Sequence, residues 1–230
     1  MATLYVVATP IGNLEDFTIR AINVLSNVDL ILAEDTRVTR VLLERYNISK
    51  EVISYHQHST LRKIELVIDS LHKGKNIALI SDAGTPGIND PGGYLIQKIF
   101  TELPETKIIP IPGANAAIAA LSISGFPADN FIFLGFPPHK KGRQTFFKKL
   151  IDYEKTIVFY ESKHRIIKTL DALSQVMGLR ALLVARELTK QFETLYRGVA
   201  QEILQQLNRE KILGEFVIVI APKKWQKNSI

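Results

Sequence analysis

Short apolar runs rich in Val and Ile alternate with longer stretches whose apolar residues recur three and four apart, along almost the whole chain. That alternation is the mark of βα units around a mainly parallel sheet, because parallel neighbours need a crossover between them. Strands are expected near 3–8 (TLYVVA), 28–33 (VDLILA), 52–55 (VISY), 76–81 (NIALIS) and 107–111 (KIIPI), with helices near 17–26, 37–46, 60–72, 92–103 and 115–123. In TLRKIELVIDSLHKG, for example, Leu61, Ile64, Ile68 and Leu71 share one helical face, Lys and Glu take the other, and Gly74 ends the run. A second series follows SGFPAD, where Gly125, Pro127 and Asp129 interrupt the periodicity. Its strands are expected at 131–136, 156–160, 181–186, 194–197 and 215–220, and its helices near 143–152, 164–176 and 199–210. A boundary near 113–129 divides the chain into an N-terminal α/β domain (1–118) and a C-terminal α/β domain (119–230), each with a mixed, mainly parallel sheet flanked by helices.

Composition removes several classes of function. No apolar run approaches the ~20 residues a spanning helix needs; LYVVA and FVIVIA are strand-sized, so no membrane partner is expected. The start MATLYVVATP has no basic leader segment and no signal peptide is expected, and the absence of cysteine excludes disulfides and thiolate metal sites. Both fit a cytoplasmic enzyme. The net charge of +6 permits a polyanionic partner without requiring one. The closing stretch PKKWQKNSI is polar, and Trp225 in it reads as packing rather than a stacking platform.

The loops after the carboxyl ends of the strands carry the chemistry, since open parallel sheets bind ligands there. Residues 81–93, SDAGTPGINDPGG, hold four glycines and two prolines and follow a buried strand directly. Most βα connections are much shorter, and glycine lets a ligand approach the main chain, so this stretch reads as a site. TPIGNLED, EDTR, HQHS and PGANAA occupy the same position after other strands, and PPHKKGR, ESKHR and ELTKQFE do so in the second domain. Neither a GxxxxGK[ST] loop nor a full GxGxxG fingerprint is present, which argues against a nucleoside triphosphate or NAD. His56 and His58 are two apart and would chelate only in an extended loop, so a solvated pair is the plainer reading and no metal is expected.

Six motifs in order, VVATPIGNLED (6–16), AEDTR (33–37), SDAGTPGINDPG (81–92), PGANAA (112–117), FYESKHR (159–165) and ARELTK (185–190), closely resemble one family. They resemble the ribosomal small-subunit RNA (16S rRNA) cytidine-2′-O-methyltransferases of the tetrapyrrole-methylase superfamily, from residue 4 to about 221. The resemblance implies a two-domain tetrapyrrole-methylase-like α/β fold, S-adenosylmethionine in the cleft between the domains, and a homodimer. It also implies cofactor contacts from the main chain of Asp82, Ala83, Gly84, Thr85 and Ile88, from Asn115 and Ala116, from Pro10 and Gly12 in the first-strand loop, and from Tyr160. A neutral adenosine and a zwitterionic methionine call for backbone donors and acceptors, not the cationic cradle of a phosphate. Many members continue past the last core strand into a small helical module, whereas the sequence here runs to PKKWQKNSI.

Methyl transfer to a ribose hydroxyl needs alignment and a base or a cation for the emerging oxyanion. Glu34, Asp35 and Arg37 after the second strand are candidates, as are Glu187 and Lys190 in ARELTK. Asp35 or Thr36 reads equally as a helix cap, and Glu187 with Lys190 equally as a surface pair. HKKGRQTFFKK (139–149) has five Lys or Arg and no acid, so Lys140, Lys141 and Arg143 are expected to meet phosphates of 16S rRNA or the assembled small subunit. A solvated basic face is the alternative there. At the level of the whole chain, the rival is a small-molecule, tetrapyrrole-type methyltransferase of the same fold, which would not call for such a run. A non-catalytic RNA-binding module fits less well, because the loops carry few stacking aromatics.

Overall fold

The computed structural model describes residues 2–56, 61–90 and 92–225, so His58 lies outside the described residues, as does Pro91. The chain divides into two compact units, residues 1–115 and 116–230. In the first, β1 (Thr3–Val7), β2 (Leu30–Ala33), β3 (Val52–Ser54), β4 (Ile77–Ile80) and β5 (Lys107–Ile111) alternate with α1 (Ile19–Asn27), α2 (Thr36–Arg45), α3 (Leu61–His72) and α4 (Gly92–Glu102). The sheet order is β3-β2-β4-β1-β5, and every pairing is parallel. All residues of β2 and β4 are buried, as continuous apolar runs inside a doubly covered parallel sheet should be. Pro110 sits in β5, an edge strand, where its missing N–H costs no ladder bond on the open side.

Side-chain alternation splits this sheet into two cores. Leu4, Leu32, Ile77 and Leu79 pack with Ile64, Val67 and Leu71 of α3 and Leu95 and Ile99 of α4. Val7, Ile31, Ala78 and Ile80 pack on the opposite face with Ala21 and Leu25 of α1 and Leu42 and Leu43 of α2. The winding therefore reverses between β1, whose crossover goes to one face, and its neighbour β4, whose crossover goes to the other. Local chemistry sets the helix ends. The Thr18 hydroxyl accepts the Ala21 N–H at 3.1 Å ahead of α1, and α3 stops at Gly74, whose φ of +83° suits a left-handed cap. The expected buried face of α3 shifts slightly: Leu61, at its first residue, is 67% exposed, and Val67 takes its place in the core.

The second unit contains α5 (Ala116–Ser122), β6 (Phe131–Phe133), α6 (Arg143–Leu150), β7 (Thr156–Ser162), α7 (Ile166–Met177), β8 (Ala181–Arg186), β9 (Thr194–Val199), α8 (Ala200–Leu207) and β10 (Glu215–Ile220). Its sheet runs β6-β7-β10-β8-β9, parallel only between β6 and β7 and antiparallel at the other three contacts. The expectation of a mainly parallel sheet holds for the first unit and is corrected for the second. The crossovers are genuine, since β7 and β8 run the same way around α7, and β9 and β10 around α8. Each such pair is separated by one strand of opposite direction, which no local periodicity reports. Phe147, Leu150, Leu170, Leu173, Ile203 and Leu207 from α6, α7 and α8 cover one face over Phe159, Val184 and Ile218. Each fully buried side chain of this size contributes about 1.5–3 kcal/mol. Helix α5 lies against β7 and β10, and Trp225 packs edge-on against Phe126 at 5.0 Å. Among the described residues no helix is long and apolar enough to cross a membrane.

Candidate functional site

At the point where the winding reverses, the loop after β1 meets the loop after β4. Thr9 N–H donates to Gly84 O at 2.9 Å and Gly84 N–H returns to Thr9 O at 3.1 Å, a two-bond bridge between the loops. The Thr9 hydroxyl adds a bond to Ser81 O at 3.1 Å, and the Ser81 hydroxyl reaches Gly84 O at 3.2 Å. The loop after β5 joins them, since Thr85 Oγ1 donates to Ala114 O at 3.2 Å. A methyl group at Gly113 would stand 2.9 Å from Ala8 Cβ, so only glycine lets that loop come so near β1. Asp90 Oδ1 closes the far end, accepting the N–H groups of Gly87 at 2.6 Å and Gly92 at 2.9 Å. The motifs TPIGNLED, SDAGTPG and PGAN are thus one assembly at the carboxyl edge of the parallel sheet, where ligands of open α/β sheets bind.

What each residue offers follows from its exposure and partners. Gly84 is buried, adopts a φ of +83°, and spends both its N–H and its C=O on Thr9. The expectation that its main chain hydrogen-bonds a ligand is therefore corrected: Gly84 shapes the loop. Asp82, Ala83 and Ile88 are exposed, and the N–H groups of Ala83 and Thr85 donate to no other described residue. These N–H groups are the loop's available polar main chain.

The loop after β2 adds charge. Asp35 N–H donates to Asp82 Oδ1 at 2.8 Å, fastening this loop to the glycine-rich one. Asp35 is the N-cap of α2, its Oδ1 accepting Arg37 N–H at 2.8 Å while the Arg37 guanidinium grips its Oδ2 at 2.6 Å. Those hydrogen bonds hold the Asp35 carboxyl down at about 2. Such a carboxylate is a poor proton acceptor, and the cap is the role its geometry has. Glu34 differs. Burial first, and then the negative charges of Asp82, Asp90 and Asp35, push its carboxyl above the ordinary carboxylate value, and no cation pairs with it among the described residues.

In the second unit, Glu187 and Lys190 form an i,i+3 ion pair at 2.9 Å, and Lys190 also reaches Glu215 at 3.0 Å. Glu187 Oε1 further accepts Glu215 N–H at 2.9 Å. Both side chains thereby hold the end of β8 against β10, the geometry of the pair reading that the sequence left open beside the catalytic one. Tyr160 lies against Phe133 and Phe136 at ring separations of 5.1 and 5.5 Å. Its hydroxyl, raised by burial, accepts the Ala117 N–H, which brings it beside Ala116 at the start of α5.

Arg143 requires a correction. Instead of projecting toward phosphates, its guanidinium turns inward to Glu161 at 3.3 Å and to the Thr169 hydroxyl at 2.6 Å, and its side chain is 17% exposed. Arg165 holds the other oxygen of Glu161 at 2.8 Å, and the Glu161 side chain is completely buried. Lys140 and Lys141 stay exposed. Thr9, Asp90 and Glu161 organise these loops; each lies within one of the six motifs, yet none stands out there, because the partners that give it its role sit elsewhere in the fold or in the loop's own main chain. Among the described residues no group of three or more His, Asp or Glu is arranged to hold a metal ion.

A parallel α/β unit with a bridged, glycine-bent loop at its switch point, followed by an α/β unit with a largely antiparallel sheet, defines a class of two-unit α/β enzymes. The description Tetrapyrrole (Corrin/Porphyrin) Methylases matches residues 3–204, and the chain belongs to that family. Proteins named ribosomal RNA small subunit methyltransferase I are similar over nearly its full length. That of Thermotoga maritima is 42% identical over 224 residues, 97% of this chain and 100% of the relative. Those of Bacillus subtilis (45%, covering 96% of this chain and 75% of the relative) and Escherichia coli O157:H7 (43%, 99% and 80%) follow the same pattern. Among solved structures, the cobalamin biosynthetic enzyme cobalt precorrin-4 methyltransferase CbiF aligns with a TM-score of 0.70 at 16% identity, covering 95% of this chain and 94% of its own. The methyltransferase CobJ aligns at 0.70 and 17%, covering 96% and 95%. At such identities the likeness concerns the fold alone.

Proposed function

We propose that this chain transfers a methyl group from S-adenosylmethionine to the 2′-hydroxyl of a cytidine in the decoding region of 16S ribosomal RNA. The observation that carries the reading is 42–47% identity, over nearly the whole chain, to proteins named for methylating small-subunit ribosomal RNA. The switch-point loops suit the cofactor chemically. They present main-chain N–H groups at Ala83 and Thr85, and the charged residues of the glycine-rich loop, Asp82 and Asp90, are both acids. A neutral nucleoside and a sulfonium are compatible with that surroundings, whereas a phosphate is not. When bound, S-adenosylmethionine supplies an electrophilic methyl group.

The rest falls to the protein. Ala83, Thr85 and Ile88 would hold the cofactor, with Pro10 and Gly12 bordering the acceptor side and Asp82 fixing the β2 loop through Asp35. By family resemblance, Asn115, Ala116 and Tyr160 would add further contacts to the cofactor. Glu34 would take the proton of the ribose hydroxyl at a carboxylate oxygen, the one acid of the group whose proton affinity is raised. General-base catalysis of this kind contributes about 10²–10⁴-fold.

The test uses purified protein, methyl-labelled S-adenosylmethionine and small subunits or 16S rRNA lacking 2′-O-methylation, with label mapped by mass spectrometry of nuclease fragments. Label on one cytidine ribose is expected. Label on a base, or none on RNA with transfer to a uroporphyrinogen instead, would overturn the reading, the second in favour of a small-molecule methylase.

A further inference from the structure

The basic segment that follows β6 does more than cover a surface. Together with α6 and α7 it walls an open groove of about 630 Å³ in the second unit, a size within the usual range for small-ligand sites. Lys140 and Lys148 stand on the α6 side, and neither has an ion-pair partner among the described residues. No carboxylate lines the groove. The nearest acid on α7, Asp171, accepts the Gln175 amide N–H at 3.2 Å and so fixes that side chain at the rim. Gln144 and Thr145 add an exposed amide and hydroxyl from α6. Beneath them Ala172, Val176 and the buried ring of Phe147 form an apolar floor. Arg143 lies over that ring at 5.0 Å with its charge already met by Glu161.

Each part of this lining corresponds to a part of a polynucleotide. Two unpaired ammonium groups suit adjacent phosphates, amides and a hydroxyl suit ribose 2′-hydroxyls and base edges, and the floor tolerates the flat body of a base. An acidic peptide would satisfy the lysines and leave the amides and floor without purpose. We propose that the α6–α7 groove binds a single-stranded segment of the RNA substrate outside the reacting nucleotide, gripping its phosphates through Lys140 and Lys148 and its sugar or base edges through Gln175. This rests on the reading that the chain acts on RNA.

Fluorescence anisotropy with a labelled ten-nucleotide single-stranded RNA, read across a salt series, tests it. Replacing both lysines (K140A/K148A) should weaken binding at least tenfold and lower the log–log salt slope by about 1.4, since each single-strand phosphate contact contributes about 0.7. Gln175→Ala should weaken RNA binding more than binding of DNA of the same sequence. Lys149→Ala removes the same charge from the same helix outside the groove, and should change affinity less than twofold. An effect of K149A equal to that of K148A, or competition by poly-glutamate as effective as by RNA, would overturn the proposal. If RNA binds and is methylated while K140A/K148A behaves as wild type, the groove assignment alone fails. If wild type does not bind the decamer yet methylates small subunits or 16S rRNA, the groove assignment alone fails; if it methylates neither, the methyltransferase reading fails with it.

Discussion

Glu34 and Asp35 are neighbours in sequence with opposite proton affinities, and the difference lies in what surrounds each. Asp35 is fed hydrogen bonds by Arg37, so its carboxyl falls to about 2. Its stabilisation is therefore present above the unfolded value near 3.8 and is lost as pH falls through that window. Glu34 is raised by burial and by three nearby carboxylates. The folded state then holds its proton more tightly than the unfolded state, and stability declines as pH rises from the ordinary value of 4.5 through the raised one. Glu34→Gln removes both the base and that burden. Turnover should fall about 10²–10⁴-fold with cofactor affinity unchanged, and the melting temperature at pH 8 should equal or exceed wild type, the gap closing in acid. Calorimetry and single-turnover kinetics check both limbs; undiminished turnover would remove Glu34 from the mechanism. The sequence marked Glu34, Asp35 and Arg37 as a group but left cap and base unsorted. The sorting depends on the burial of Glu34 and on the carboxylates of Asp82 and Asp90, which the fold brings near it from another loop and no motif displays.

Helices and strands were legible to within about three residues at their ends because their signals are local: three-and-four spacing for α7, unbroken apolar runs for β2 and β4, a glycine after α3. Strand direction in the second unit was not. β10 inserts between β7 and β8, a choice made by long-range pairing that leaves the alternation of runs unchanged. The same limit explains Arg143. In the sequence it belongs to a basic run, whereas in the fold it turns toward Glu161, 18 positions on, and stitches α6 to β7. Breaking a buried pair by removing one partner costs about 3–5 kcal/mol. Arg143→Ala should approach the lower end, because Arg165 still holds Glu161. Denaturant unfolding should show this loss while the salt slope of RNA binding stays as in wild type. A large change in slope with little change in stability would return Arg143 to the RNA-facing cations.

At the scale of the whole molecule, the net charge of +6 and the uncompensated lysines of the second unit favour an anionic partner, and the family resemblance adds a second copy of the chain. No apolar stripe in the sequence marks where that copy would sit, because large exposed apolar residues such as Ile19, Phe100 and Leu179 are scattered over different elements, as is normal for a soluble surface. The strand edge of β9 is different in kind. It ends the second sheet, Phe192 just before it is 71% exposed, and Leu195 within it is 39% exposed. Its own arginine, Arg197, does not blunt the edge, since the guanidinium is spent on the carbonyls of Ile123 and Ser124. Exposed edges carrying apolar side chains invite pairing unless something covers them. We expect sedimentation at micromolar concentration to give a particle of twice 25.9 kDa, and Phe192→Asp to shift it toward monomer with its circular dichroism unchanged. A wild-type monomer would refute the dimer itself, and an intact dimer in the variant would move its interface away from β9.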